Sequence, residues 1–178
     1  MPLALALLLI RAGQTPVSWT LVGSGVVLTA LGEGLRLWAV RHIGVISRTR
    51  SGRLGPLVDT GPFARVRNPL YLGNIAIWVG FALTARLVWL APIFAVLLAV
   101  EYHAIVGWEE RLLESRYGDA YRTYAVRVPR WLPTRVSDTV SDTASDTRFS
   151  WRETLFSERG TLIAIVVGYL LLWLKARF

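Results

Sequence analysis

Two runs of apolar residues, 17–40 and 87–107, most constrain what this chain can fold into. Each reaches the length of about 20 residues that an α-helix needs to cross the hydrocarbon core of a bilayer. Because the backbone finds no water there, a spanning segment satisfies its own amide groups by forming a helix. The two runs therefore predict membrane-spanning helices and an all-α fold.

Three shorter apolar runs accompany them, at residues 3–10, 70–84 and 161–174. The last two need flanking residues or an upright path to cross the same thickness. The first lacks the features that surround a cleaved signal peptide, so we expect a short helix that stays attached. Since 53% of the residues are hydrophobic, including eight Trp, the composition favours a polytopic membrane bundle of about five apolar helices.

The net charge of +8 is concentrated in one loop. Against a single acid, Asp59, that loop carries six arginines: Arg41, Arg48, Arg50, Arg53, Arg65 and Arg67. Loops of this kind stay on the cytoplasmic side of membrane proteins. If the chain turns at Ala85 and Arg86, residues 109–153 return to the same side. We expect a multi-pass integral membrane protein whose partner is the membrane and not nucleic acid.

Composition also bears on the kinds of site that the chain can build. With no cysteine, it has no disulfide, thiolate nucleophile or Cys-ligated metal. Its two histidines, His42 and His103, have no carboxylate at ligand spacing. We therefore expect no metal site.

Three tandem Ser-Asp-Thr repeats lie between residues 137 and 148. Small polar residues cannot bury a core, so we expect a flexible linker over residues 136–150. After it, residues 151–160 are amphipathic and predict a segment on the membrane surface, followed by the span at 161–174. Four regions follow: 1–54 with the first helices and the basic loop, 55–135 with a helical hairpin and polar motifs, the linker 136–150, and the C-terminal part 151–178.

The residues that can carry chemistry begin with Gly61-Pro62-Phe63, which predicts a turn before the run 70–84. Pro69 suits the first position of a helix and keeps Asn68 out of it. A helix that starts here presents backbone amides that favour an anionic group such as a carboxylate.

A second polar group follows the run 87–107 and begins with Glu109 and Glu110. Paired acids at a helix end are usually only solvated. In the hairpin arrangement, however, Glu109 lies opposite the turn at residues 67–71, which favours a place for it in a pocket.

Three tyrosines follow, Tyr117, Tyr121 and Tyr124, at spacings of four and three. This spacing predicts an aromatic stripe along one helix. Taken alone, such a stripe indicates core packing.

In order, the chain has Gly-Pro-aromatic at 61–63, Arg-x-Pro-x-Tyr-x-Gly at 67–73, paired glutamates at 109–110 and Tyr-Gly-x-x-Tyr-x-x-Tyr at 117–124. This order resembles the bipartite signature of the membrane methyltransferases that include isoprenylcysteine carboxyl methyltransferase and phospholipid methyltransferases. The resemblance covers roughly residues 57–133. It implies an integral membrane enzyme with a cytosolic pocket that transfers a methyl group from S-adenosylmethionine to a lipophilic acceptor.

The resemblance also implies roles for individual residues. The cofactor contacts that it implies fall on Leu57, Val58, Phe63, Asn68, Pro69, Leu70, Tyr71 and Glu109. Arg67 would orient the loop or an anionic substrate group, and Glu110 or Tyr71 would supply the base that an amine acceptor needs. The family usually has histidine in place of Asn68, and asparagine can bind a ligand but cannot titrate near neutrality.

The acceptor is constrained by one departure from the pattern. The isoprenylcysteine enzyme has an arginine about one turn before its glutamate, where this chain has Ile105. A prenylcysteine carboxylate is therefore not the acceptor that we expect. A lipid or another lipophilic small molecule fits better.

Two other functions fit parts of the pattern. Sterol-reductase-like membrane enzymes share an Arg-x-Pro-x-Tyr turn and bind NADPH, although their usual body has more helices than this chain can form. A non-catalytic membrane scaffold would use the basic loop to bind anionic lipids. Binding of S-adenosylmethionine, of NADPH or of neither distinguishes the three functions.

We expect the loop that contains Arg50 and the linker that contains Ser141 to be cytoplasmic, because arginine-rich loops are retained there. Single cysteines at these positions can be labelled specifically, since the chain has none of its own. A membrane-impermeant maleimide should label both only after the inner face is opened. Labelling of either position from outside intact cells would contradict the predicted hairpin.

Overall fold

Five α-helices and one 3-10 helix form the described part of the chain. The computed structural model describes residues 8–43, 57–133 and 150–177. In order the helices are α1 (Trp19–Ile43), the 3-10 helix (Gly61–Ala64), α2 (Pro69–Thr84), α3 (Leu90–Tyr117), α4 (Asp119–Arg127) and α5 (Trp151–Arg177). No residue in these ranges forms a β-strand. The predicted all-α class is confirmed.

Three of the helices, α1, α3 and α5, are long and apolar enough to cross a membrane. With 16 residues, α2 extends about 24 Å, which is shorter than a hydrocarbon core of about 30 Å. These four helices contain the predicted apolar runs 17–40, 70–84, 87–107 and 161–174, except that residues 17, 18 and 87–89 precede their helices.

Parts of three predicted features lie outside the described residues. They are most of the first apolar run at 3–10, the part of the basic loop that contains Arg48, Arg50 and Arg53, and nearly all of the linker at 136–150.

α5 starts with a capping box. Ser150 Oγ accepts a hydrogen bond from the Glu153 amide at 3.2 Å, and Glu153 Oε2 accepts one from the Ser150 amide at 3.0 Å. Each bond satisfies a donor that has no partner in the first turn. The helix then continues through Gly160, so the predicted surface segment 151–160 and the predicted span 161–174 lie on one continuous helix. No proline interrupts it.

A turn separates α2 from α3 at the predicted position. Arg86 has a φ of 61°, which a non-glycine residue adopts only where its surroundings hold it. Here Gln14 donates Nε2 to the Ala85 carbonyl at 2.9 Å, and the Thr15 amide donates to the Arg86 carbonyl at 3.0 Å. The segment before α1 thus satisfies the polar groups of this turn.

The described residues belong to two compact units. Of the described residues, the first unit contains 8–34, 73–100 and 159–177, and the second contains 35–43, 57–72, 101–133 and 150–158.

In the first unit, glycines let α1 and α2 approach closely. A Cβ atom added to Gly25 would lie 2.6 Å from the Gly80 carbonyl oxygen, and one added to Gly80 would lie 2.6 Å from the Gly25 carbonyl oxygen. A Cβ on Gly32 would lie 2.7 Å from the carbonyl oxygen of Gly73. Small residues provide such contacts in membranes, where lipid gives helices no hydrophobic drive to associate. A larger side chain would push the two backbones apart.

Aromatic side chains link the other helices of this unit. The ring of Trp78 lies 5.5 Å from that of Phe94, and the ring of Phe81 lies 5.1 Å from that of Tyr169. Tyr169 donates its hydroxyl to Thr29 at 2.9 Å. These contacts join α2 to α3 and α5, and α5 to α1.

In the second unit, a buried ion pair joins α1 to α5. Arg36 donates to Glu158 Oε2 through Nε at 3.2 Å and through Nη2 at 2.6 Å. The two side chains are 6% and 0% exposed. Removal of one partner of a buried ion pair typically destabilises a protein by about 3–5 kcal/mol.

The glycine contacts can be tested at Gly25. We expect Gly25→Ala to destabilise the protein by about 1–3 kcal/mol, because the added methyl group would meet backbone that cannot move aside. Gly23→Ala is the matched control, since Gly23 lies on the same helix and has no atom within 4 Å of its added Cβ. Detergent-titration unfolding in mixed micelles measures both. Equal unfolding midpoints would contradict the close approach.

Candidate functional site

A tight turn before α2 holds the first of the predicted residues. Gly61 has a φ of 59°, and a Cβ atom added to it would collide with Nε2 of His42, so this position requires glycine. Pro62 and Phe63 follow and are buried within the 3-10 helix. The predicted turn at Gly61-Pro62 is therefore present.

α2 begins at Pro69, the residue predicted for its first position. Asn68, just before it, donates Nδ2 to the Arg130 carbonyl oxygen at 3.2 Å. The Arg67 amide donates to the Pro129 carbonyl oxygen at 2.9 Å. These two bonds fasten the residues before α2 to the segment that follows α4.

Tyr71, in the first turn of α2, donates its hydroxyl to Oε1 of Glu109 on α3 at 2.8 Å. The Tyr71 ring packs against that of Tyr102, with their centroids 4.6 Å apart. Tyr71 and Glu109 are half-buried, and Tyr102 is buried. Within residues 8–43, 57–133 and 150–177, the side chain of Glu109 forms no ion pair. Its only side-chain hydrogen bond is the one that it accepts from Tyr71. This acid is partly shielded from water, and no cation of the described residues pairs with it.

The next residue, Glu110, has a different environment. Its Oε1 forms an ion pair with Arg67 Nη1 at 3.0 Å and accepts a hydrogen bond from Arg130 Nε at 3.1 Å. Its Oε2 accepts a hydrogen bond from Arg130 Nη2. These bonds to Glu110 raise the pKa of Arg130, which therefore stays charged. Both oxygens of Glu110 are therefore occupied by guanidinium groups.

The predicted tyrosine stripe is divided between two helices. Tyr117 ends α3, and Gly118, with φ 54° and ψ −125°, leads into α4. The prediction of a single helix through all three tyrosines is wrong. The backbone conformation of Gly118, which glycine readily adopts, lies outside the helical region. Packing of the tyrosines is confirmed, since Tyr121 and Tyr124 are buried with Val128 and Tyr117 packs against them.

The tyrosine cluster also supports the turn before α2. Tyr124 donates its hydroxyl to the Phe63 carbonyl oxygen at 2.9 Å, and Leu57 packs against the cluster. Burial raises the pKa of both Tyr121 and Tyr124, and the Glu110 charge raises that of Tyr121 further. Both phenols therefore remain protonated at neutral pH and can act as hydrogen-bond donors.

The structure joins Tyr71 directly to Glu109. It joins Arg67 to Glu110, and Glu110 through Arg130 to Asn68. Phe63 and Leu57 instead contact the tyrosine cluster. Of the remaining predicted contacts, Pro69 is buried, and Val58 and Leu70 are half-buried.

Sequence reasoning missed roles for Tyr102 and Arg130. Tyr102 lies seven residues before Glu109, a spacing that places two residues on the same face of a helix and could have identified it. Arg130 follows the tyrosines in the sequence Val128-Pro129-Arg130. Nothing local indicates that it binds Glu110.

The arrangement can bind a small molecule that carries both signs of charge. Glu109 offers a carboxylate to a cation. Nε of Arg67 is buried and has no hydrogen-bond partner within the described ranges, so it can donate to an anionic group. Among the same residues, no group of three or more His, Cys, Asp or Glu side chains could hold a metal ion.

Two curated proteins are similar to this chain. It is 34% identical over 110 residues to the nickel-cobalt-cadmium resistance protein NccN of Alcaligenes xylosoxydans xylosoxydans, a match that covers 61% of this chain and 46% of the relative. It is 31% identical over 120 residues to the cobalt-zinc-cadmium resistance protein CzcN of Cupriavidus metallidurans, with coverage of 67% and 50%. The chain thus spans about half the length of the curated relatives it matches. No solved structure matches it.

A family profile matches the part of the chain that holds the candidate site. The profile describes phospholipid methyltransferases, and the match runs over residues 20–120, more than half of the chain. This region includes α2, α3 and the two pairs formed by Tyr71 with Glu109 and by Arg67 with Glu110. The chain therefore belongs to the phospholipid methyltransferase family.

Proposed function

We propose that this membrane methyltransferase takes its methyl group from S-adenosylmethionine and transfers it to a lipophilic acceptor. The observation that carries the proposal is Glu109, a half-buried carboxylate without a cationic partner among the described residues. A charged group in such a place is stabilised by a counter-charge. S-adenosylmethionine can supply one, because its sulfonium and ammonium groups are both positive.

Other groups near Glu109 match further parts of the cofactor. The buried Nε of Arg67 can donate to its carboxylate. The rings of Tyr71 and Tyr102 provide aromatic surface, which attracts cations. When bound, the cofactor supplies a methyl group on a positively charged sulfur, so the reaction depends on the placement of a nucleophile in line with that methyl group.

Each predicted residue has a task in this proposal. The Tyr71 hydroxyl holds Oε1 of Glu109, which leaves Oε2 for the cofactor. Asn68 fixes the loop through the Arg130 carbonyl. The remaining contacts would form the walls of the pocket: Leu57, Val58, Phe63, Pro69 and Leu70.

An amine acceptor would also need a group that takes up its proton. Since the arginines occupy Glu110, the hydrogen-bonded pair of Tyr71 and Glu109 is the better candidate. As the Tyr71 oxygen takes the proton of the amine, its own hydroxyl proton can pass to Oε1 of Glu109 along the existing hydrogen bond, so Tyr71 stays neutral.

A lipophilic acceptor is supported by the family and by the position of Tyr71. This residue lies in the first turn of α2, and the rest of that helix is apolar. An acceptor with an apolar body could approach along the bilayer, where each buried methylene contributes about 0.8 kcal/mol. The arginines of residues 41–67 support a cytoplasmic location for the site.

The names of the two relatives suggest a second candidate function, in metal resistance. This function is separable from methyl transfer by experiment. Binding of cobalt or cadmium to the purified protein would support metal handling, whereas methyl transfer without metal binding would support the enzyme alone.

The cofactor proposal can be tested at Glu109. We expect Glu109→Gln to weaken S-adenosylmethionine binding by about 1–3 kcal/mol, the range for loss of a charged hydrogen bond. Isothermal titration calorimetry on detergent-solubilised protein measures this change.

Glu114→Gln is the matched control, because Glu114 lies on the same helix in an exposed ion pair with Arg122. It should leave the affinity unchanged. Equal losses of S-adenosylmethionine affinity in the two variants would indicate that Glu109 is only a solvated acid at a helix end. Stabilisation of the wild-type protein by NADPH and not by S-adenosylmethionine would favour a reductase.

The acceptor is tested by supplying radiolabelled S-adenosylmethionine with three kinds of substrate. Because Ile105 replaces an arginine, prenylcysteine should be methylated poorly, and a membrane lipid extract should be methylated well. Short-chain soluble analogues should react more slowly than the lipids, since they lose the contribution of buried methylenes. Efficient methylation of prenylcysteine would refute the choice of acceptor, and a preference for soluble analogues would refute access from the bilayer.

A further inference from the structure

Arg130 connects the segment after α4 to the candidate site. Its Nε and Nη2 bind the two oxygens of Glu110, so the guanidinium grips the carboxylate at two points. The Arg130 side chain is 34% exposed, whereas that of Glu110 is 13% exposed. The pair is thus shielded enough for its geometry to matter, unlike exposed ion pairs, which contribute little.

Two further bonds fasten the same segment at the backbone. The Arg67 amide donates to the Pro129 carbonyl, and the Asn68 side chain donates to the Arg130 carbonyl. Arg130 therefore contacts the loop before α2 through its carbonyl and contacts α3 through its side chain. A substitution of Arg130 can therefore affect both the loop before α2 and helix α3.

Arg67 and Arg130 both bind Glu110. Through this shared carboxylate, Arg130 can affect the position of Arg67, one of the proposed cofactor contacts. Arg67 contacts Oε1 of Glu110 through Nη1 at 3.0 Å. Without the Arg130 side chain, Oε2 would lose its donor and would draw the Arg67 guanidinium toward it. That shift would move Nε of Arg67 and strain the loop that leads to Tyr71.

We propose that Arg130 is a positioning residue for the cofactor site. By holding both oxygens of Glu110, it keeps Arg67 and the pair of Tyr71 and Glu109 in the arrangement that binds the cofactor. The two-point grip requires arginine, because a lysine ammonium is a single point of charge and cannot span a carboxylate in the same way. This inference rests on the proposed function where it concerns cofactor binding. Its effect on the loop before α2 can be measured without any ligand.

The test uses Arg130→Lys in the full chain, since this variant keeps the charge and removes the two-point grip. Calorimetry should show that S-adenosylmethionine affinity falls roughly tenfold, the order expected for a lost charge-assisted hydrogen bond. The KM for S-adenosylmethionine should rise while the KM for the acceptor stays the same. A purely structural role would lower thermal stability and would not produce this split.

The second readout needs no ligand. Hydrogen exchange at the Arg67 amide reports its bond to the Pro129 carbonyl. Exchange at this amide should become at least fivefold faster in Arg130→Lys. Arg122→Lys is the matched control, because Arg122 also pairs with two carboxylates, Glu114 and Asp119, on the protein surface. It should change neither readout.

A double variant tests whether Arg130 acts through Glu110. Arg130→Lys should have little further effect on affinity once Glu110→Gln is present, because the interaction is already lost.

The outcomes separate the two proposals. If the wild-type protein binds no S-adenosylmethionine while Arg130→Lys speeds exchange at Arg67, the proposed function fails and the placement of the loop by Arg130 stands. If the wild-type protein binds and Arg130→Lys binds within twofold of it, the positioning role is overturned. Additive losses in the double variant, or a failure of Arg130→Lys to fold, would overturn it as well.

Discussion

The candidate site depends on the angle between consecutive residues of a helix. Each residue of an α-helix is rotated by about 100° from the one before it, so Glu109 and Glu110 cannot face the same partners. Glu109 faces the Tyr71 hydroxyl, whereas Glu110 faces the guanidinium groups of Arg67 and Arg130. As a result, Glu110 binds two arginines, whereas Glu109 forms no ion pair within the described residues.

Much of the fold was predictable because its signals are local. Length and apolar composition determine which segments form α1, α2, α3 and α5, and a bilayer leaves them few alternatives to the helix. Proline favours a helix start at Pro69, since its ring suits the first turn of a helix and disrupts the helix interior. In the same way, the spacing of the tyrosines was sufficient to predict that they pack together, because buried aromatic rings stabilise whatever surface they cover.

The features that sequence reasoning missed depend on a backbone conformation or on distant partners. Gly118 divides the tyrosines between two helices because it adopts a positive φ, which the sequence permitted but did not require. The pairing of Glu110 with Arg130 joins residues 20 positions apart across the end of α3 and all of α4, and many arginines compete for such a role in this chain. Among the candidate residues, the sequence could therefore indicate Glu109 and Tyr71 as members of one site. It could not indicate which of the two acids is held by arginines.

The length of α3 relates the site to the thickness of the membrane. Its 28 residues extend about 42 Å, some 12 Å more than a typical hydrocarbon core. Glu109 lies about 28 Å from the start of the helix. If α3 enters the bilayer at Leu90, the carboxylate stands where hydrocarbon gives way to head groups. A thicker membrane would draw this charge toward hydrocarbon and a thinner one would leave it in water. The acyl-chain length of the host lipids would then help to set how strongly the site holds a charged ligand.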